Sequence, residues 1–207
     1  MSLDIWLAFV VAASILLAIP GPTVLLVVSY ALGHGRQSAA WTVPGVALGD
    51  FTALTLSLIG LGAVLSASSE LFTVIKWAGA AYLIWLGIKM WRSDGAIEVR
   101  GGKRGDNGPA MLWNCFAITA LNPKGLVFFA AFLPQFVSPA APAAPQLVVL
   151  GATFLVLATA NAALFAYLAG SAKSALADPS RMRLVNRIGG TLLIGAGALM
   201  ASYQRAG

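Results

Sequence analysis

Ala18-Ile19-Pro20-Gly21-Pro22-Thr23 sets two prolines around a glycine inside an apolar run. Neither proline has a backbone N–H to donate, and each ring collides with the carbonyl four residues back. Glycine adds backbone freedom at the same point. Ile5 to Ile19 on one side and Val24 to Leu32 on the other are almost wholly apolar. One straight helix from Ile5 to Leu32 would run about 42 Å at ~1.5 Å per residue, against a hydrocarbon core of about 30 Å. The run is therefore tilted, or broken into two half-helices. Irregular backbone is not viable against lipid, so a break at membrane depth has to face protein or a wet cavity. Asn122-Pro123-Lys124 makes a second break in a later apolar run. Two interrupted membrane segments in corresponding positions are a sequence pointer to a transporter binding site.

Composition sets the class. The 207 residues are 59% hydrophobic and 10% charged, where soluble proteins carry roughly 25% charged residues. The chain reads as one all-α polytopic membrane domain, residues 1–207, embedded in the lipid bilayer. Its net charge of +6 sits in short loops, which is topology information rather than a nucleic-acid footprint. Cys115 is the only cysteine, so an intramolecular disulfide, a cysteine metal site and an internal thiol–disulfide carrier are excluded. There is no Walker A string, no dinucleotide fingerprint and no metal-spaced histidine cluster. No cofactor, metal or catalytic residue is expected, and the chain reads as no enzyme. The N-terminus lacks a positive n-region and carries Asp4, so it is expected to be a first span rather than a signal peptide.

Six spans are expected: Ile5–Leu32, Ala39–Leu65, Phe72–Trp91, Met111–Val137, Gln146–Leu168 and Ile188–Tyr203. The first, third and fifth loops and their flanks hold Arg36, Lys89, Arg92, Arg100, Lys103, Arg104, Lys173, Arg181, Arg183 and Arg187; the other side holds Lys76 and Arg205. The positive-inside rule then puts both termini outside the cytoplasm. Trp6 and Trp77 fall at the outer interface in this topology, and Trp41, Trp91 and Trp113 at the inner one, where indole is favoured. The glycine-rich third loop, residues 92–110, is expected to be a mobile cytoplasmic linker. The proline-rich fourth loop, Ser138 to Pro145, is expected to be a short extended connector.

A repeat is visible. Lys76-Trp77-Ala78-Gly79-Ala80-Ala81-Tyr82-Leu83 opens the third span, and Arg187-Ile188-Gly189-Gly190-Thr191-Leu192-Leu193-Ile194 opens the sixth. Ala18-Ile19-Pro20-Gly21-Pro22 and Ala120-Leu121-Asn122-Pro123-Lys124 correspond in the first and fourth. Three spans per half is an odd number, so the halves insert in opposite orientations. The expected architecture is six transmembrane helices as two inverted three-helix repeats, 1–91 and 111–207, with the first and fourth helices broken at proline.

Asp50 stands deep in the second span, where an aspartate costs roughly 2.5–3.5 kcal/mol on insertion scales. Such a residue is a functional hypothesis by default. Gly45 and Gly49 form a GxxxG that permits close helix approach and sets Asp50 beside a neighbouring backbone; Gly79 is a further packing glycine. Lys124, just past Pro123, has the opposite sign and reads as the partner of Asp50. Lys76, near a span end, snorkels to water. The half-helices restarting at Thr23 and after Pro123 offer N-termini to a carboxylate. Carbonyls freed near Leu16, Ala18 and Thr119, together with Asp50, suit an ammonium. Pro20, Gly21, Pro22, Thr23, Asn122, Pro123 and Lys124 are therefore the candidate substrate-binding set, and Asp50 the candidate proton-coupling residue. This reasoning reaches an amino acid or similar small polar solute and leaves an inorganic ion open, although too few acidic or sulfur ligands are present for a tight metal site. His34 reads as a solvated loop residue, Cys115 as a small apolar packer, and Tyr82 and Asn161 as mid-span polar groups that bond between helices or line the path.

These residues resemble the LysE/RhtB family of amino-acid exporters nearly end to end. The likeness rests on Ala18 to Pro22, on Gly45 through Gly49-Asp50, on Lys76 to Leu83 with Gly87, and on Asn122-Pro123-Lys124 with Phe128-Phe129 and Leu133-Pro134-Gln135-Phe136. The fifth span matches least. The resemblance implies a multi-pass exporter of the bacterial inner membrane that uses the proton gradient, with amino acids and protons as its partners. It also implies that Asp50 and Pro123 match positions tied to transport. It does not select one amino acid, and a homo-oligomer is compatible with it. Export of another small solute or a metal cation on the same scaffold is the alternative.

Overall fold

The computed structural model describes residues 1–67, 69–93, 106–138, 140–169, 171 and 177–202. Most of the expected linker therefore lies outside the described residues. So do Tyr203 at the end of the expected sixth span, residues 170 and 172–176 of the fifth loop, and the side chain of Lys76. Among the described residues there are eight α-helices and no strand. The first span is two helices, α1 (Leu3–Ala18) and α2 (Pro22–His34), meeting at 56°. α3 (Ala39–Ala67) and α4 (Ser69–Trp91) follow. The fourth span is α5 (Gly108–Ala120), then α6 (Pro123–Val127), a π-helical stretch (Phe128–Phe132) and a 3-10 turn (Leu133–Phe136), with a 43° bend at the break. α7 (Ala143–Tyr167) and α8 (Pro179–Ser202) complete the chain.

Both breaks follow from local chemistry. Pro22 and Pro123 sit in the first turn of the helix they restart, where a missing N–H costs nothing. By length and apolarity α3 and α7 each qualify to cross a bilayer, and each bent pair qualifies as one crossing. α4 and α8 are long enough, at 23 and 24 residues, but carry more charge. α8 starts well before the expected Ile188. Asp178 accepts from the amides of Ser180 (2.9 Å) and Arg181 (3.2 Å), capping the helix ahead of its cations. Hydropathy marks the stretch that lipid tolerates; the cap marks where the helix begins. His34 likewise belongs to the end of α2, half-buried against Tyr30, rather than to a solvated loop. The fourth loop is tied, not extended: the buried Gln146 amide donates to the carbonyls of Ser138, Ala141 and Pro142, and its oxygen accepts from the Ser138 amide.

Glycines set the closest helix contacts. A methyl on Gly45 would overlap the Leu112 carbonyl, and one on Gly49 would come within 2.8 Å of the Phe116 carbonyl, so α3 lies directly on α5. Gly87 of α4 and Gly190 of α8 face one another: a methyl on either would reach the other's carbonyl at 2.6 Å. Gly79 is buried on α4. The core falls into separate apolar clusters. One joins α1, α3, α4, α7 and the π stretch through Phe9, Phe128, Phe129, Leu133, Leu150 and Phe154, with Phe129 edge-on to Phe154 at 4.7 Å. Another gathers Val27, Tyr30, Ala39, Val46, Met111, Cys115, Ala162 and Ala166. Replacing Gly49 by leucine drives a side chain into α5. Overpacking of this kind costs about 1–3 kcal/mol or more, so Gly49→Leu should lower the melting temperature of the purified protein in detergent, as followed by tryptophan fluorescence.

Candidate functional site

A cavity of about 50 Å³ lies between the two larger clusters, borrowing Leu16, Phe154 and Ala158 from one and Val27, Val46 and Ala162 from the other. A buried water needs about 10–15 Å³ of such space, so a few waters fit. Its polar lining is Thr23, Asp50, Thr119, Asn122, Lys124 and Asn161, with the backbone of Gly21 and Gly125. Both breaks therefore open onto one chamber, and the acidic residue of α3 faces it.

Asp50 follows Gly49 on the face of α3 that carries Thr42 and Val46. Side chains four apart stack on one side of a helix. Asp50 is 9% exposed, and its carboxyl makes no hydrogen bond or ion pair with any described residue. This corrects the expected Asp50–Lys124 pair. The two share the chamber and feel one another's charge, but the lysine is engaged elsewhere. Lys124 Nζ donates to the carbonyls of Leu16 (2.9 Å) and Ile19 (3.0 Å). An unbroken helix would have satisfied the Leu16 carbonyl from residue 20, and Pro20 has no N–H to give. The neighbouring Leu17 carbonyl accepts from Asn161 Nδ2 at 3.2 Å. The carbonyls freed by the first break are thus taken by a cation from the second break and an amide from α7. The same contacts separate two residues that sequence alone left together: Tyr82 packs on Trp85, away from the chamber lining, while Asn161 lines it.

The breaks also touch each other. Thr119 Oγ1 and Asn122 Nδ2 both donate to Thr23 Oγ1, at 3.3 and 3.4 Å. Asn122 Oδ1 accepts from the Lys124 amide at 3.1 Å, capping α6. The two restarted helices are therefore not equivalent. α6 is one short capped turn, whereas α2 has 13 residues and no side-chain cap. Thr23 and Val24 at its start line the chamber, so its orphan N–H groups and the positive end of its dipole face the site. Pro20 and Pro22 shape this arrangement; neither they nor Pro123 is among the lining residues. A methyl on Gly21 would stand 3.7 Å from Lys124 Nζ.

A second polar cluster escaped the sequence reading. Tyr30 OH donates to Asp106 Oδ2 at 2.7 Å, and Asn114 Nδ2 donates to Tyr30 OH at 2.7 Å. It ties the last residues of the linker to α2 and α5. The signal was Asn114, a lone amide in the apolar opening of the fourth span. Thr42 Oγ1 and His34 Nδ1, both buried, have no hydrogen-bond partner among the described residues. Among the described residues no three His, Cys, Asp or Glu side chains gather as a metal site needs.

The profile of the LysE type translocator family matches residues 14–204. The chain belongs to the LysE-type translocator family. A homoserine/homoserine lactone efflux protein of Salmonella typhi is 33% identical over 206 residues, covering 100% of both chains. An uncharacterized membrane protein of Vibrio cholerae is 31% identical over 204 residues, 99% of this chain and 100% of the other. A leucine efflux protein of Enterobacter is 31% identical over 159 residues, 76% of this chain and 72% of that one. No solved structure matches. The translocator is thus a membrane transporter and not an enzyme. Leucine at position 161 would leave the Leu17 carbonyl of this translocator without its donor. A lost partner of this kind costs about 1–3 kcal/mol, so Asn161→Leu should melt at a lower temperature than wild type in the same detergent.

Proposed function

We propose that this chain exports amino acids or close derivatives across the bacterial inner membrane in exchange for protons. The observation that carries this reading is the presence, in one chamber, of an Asp50 carboxyl without a described hydrogen bond and the uncapped start of α2. A zwitterion carries one charge for each. Its carboxylate suits the α2 N–H groups and the Lys124 ammonium. Its ammonium suits Asp50 and the carbonyls freed at Leu16 and Ile19. Relatives that cover the whole chain and three quarters of it carry the names of homoserine and leucine efflux proteins, which supports the amino-acid class.

The transport cycle we propose is alternating access. Apolar packing closes the chamber on the Phe9–Phe129 side and on the Val27–Met111 side, and transport opens them in turn. Six crossings arranged as two inverted units, 1–91 and 111–207, are supported by the corresponding proline breaks and by the pairing of α4 with α8. The excess of cations in the odd-numbered loops supports placing both termini outside the cytoplasm. Asp50 couples transport to protons by accepting one from the outer side and releasing it to the cytoplasm while the solute leaves.

Counterflow in proteoliposomes with a panel of neutral, branched and basic amino acids tests the substrate class; accumulation of none of them would refute the reading. Asp50→Asn keeps the shape and removes the titrating oxygen, so proton-driven transport should fall about tenfold or more. Undiminished coupled transport in that variant would remove Asp50 from the mechanism.

A further inference from the structure

The first break leaves a small cradle of backbone oxygens, and a cation from this chain fills it. Lys124 Nζ lies 2.9 Å from the Leu16 oxygen and 3.0 Å from the Ile19 oxygen, using two of an ammonium's three donors. Asp50 lines the same chamber and feels the charge of Lys124, yet its carboxyl makes no hydrogen bond or ion pair with any described residue. A lysine held there only to neutralise the aspartate would pair with it directly. Instead it sits where a guest's primary ammonium would sit, and Asp50 is left unengaged.

We propose that Lys124 is a tethered stand-in for the substrate's ammonium. In the empty carrier its Nζ satisfies the carbonyl cradle; the arriving substrate's own ammonium displaces it, and the freed Nζ turns to the substrate's carboxylate. This rests on the amino-acid export reading above and adds the element of recognition: the transported molecule must carry a primary ammonium. It also assigns the lysine a part in the empty carrier. Buried carbonyls without a donor are costly, so the carrier can pass between its two open forms only when something fills the cradle. Substrate does so on the loaded journey and Lys124 on the empty one. A ligand or an internal group shifts such an equilibrium by its differential affinity for the two states.

The test compares two fluxes in proteoliposomes loaded with labelled amino acid. Exchange against unlabelled amino acid outside needs only the loaded journey; net efflux into amino-acid-free medium needs the empty one too. In Lys124→Met, which keeps the length and removes every donor, the ratio of net efflux to exchange should fall about tenfold. A ratio equal to wild type, whether both fluxes fall together or neither does, overturns the proposal, because a purely structural or purely substrate-binding lysine would move both alike. Melting in detergent verifies folding. If Lys124→Met does not fold, wild-type vesicles decide. Leucine or homoserine outside should drive exchange, while the N-acetyl and 2-hydroxy-acid analogues, which lack a primary ammonium, should not. Exchange driven equally by those analogues overturns the proposal. Wild-type vesicles that exchange no amino acid at all overturn the export reading and this inference with it, which separates the two failures.

Discussion

A backbone interrupted inside a bilayer must find partners for the carbonyls it frees, and no water is there to supply them. In this chain the carbonyls left open by the first break are met by Lys124 and Asn161, which come from the second interruption and from α7. Each break therefore needs the other's side chains. Thr23, Thr119 and Asn122 bind the two together directly. The position of the chamber follows, because these bonds hold both breaks and α7 at one place. The same need keeps the lining polar in a region otherwise built from phenylalanine, leucine and valine.

Close packing then delivers the acid. Gly49 lets α3 press on α5 near Phe116 and Thr119, and Asp50 is the next residue. A side chain larger than glycine would move the carboxyl away from the chamber it lines. Packing and chemistry are coupled through a single peptide unit, which explains why a helix that could have been uniformly apolar carries a glycine and an aspartate side by side.

Much of this was legible in the residues. The breaks were legible because proline acts on its own neighbours, and Asp50 because a carboxyl at depth demands a reason. The helical class and the family likeness followed from the same strings. What could not be read was partnership across the chain. Opposite signs suggested that Lys124 would pair with Asp50, but the freed carbonyls outbid the carboxylate once the fold brought them within 3.0 Å. The start of α8 was missed because hydropathy follows apolar content and is blind to the Asp178 cap. The Tyr30–Asp106–Asn114 cluster joins positions that no local pattern connects.

The pairing of Gly87 with Gly190 has a mechanical consequence. α4 belongs to the first half of the chain and α8 to the second, and their backbones touch where no side chain intervenes. α3 and α5 are clasped across the halves in the same way. Any motion that parts the two halves has to slide or separate backbones at both seams, where no side chain stands between them to give way.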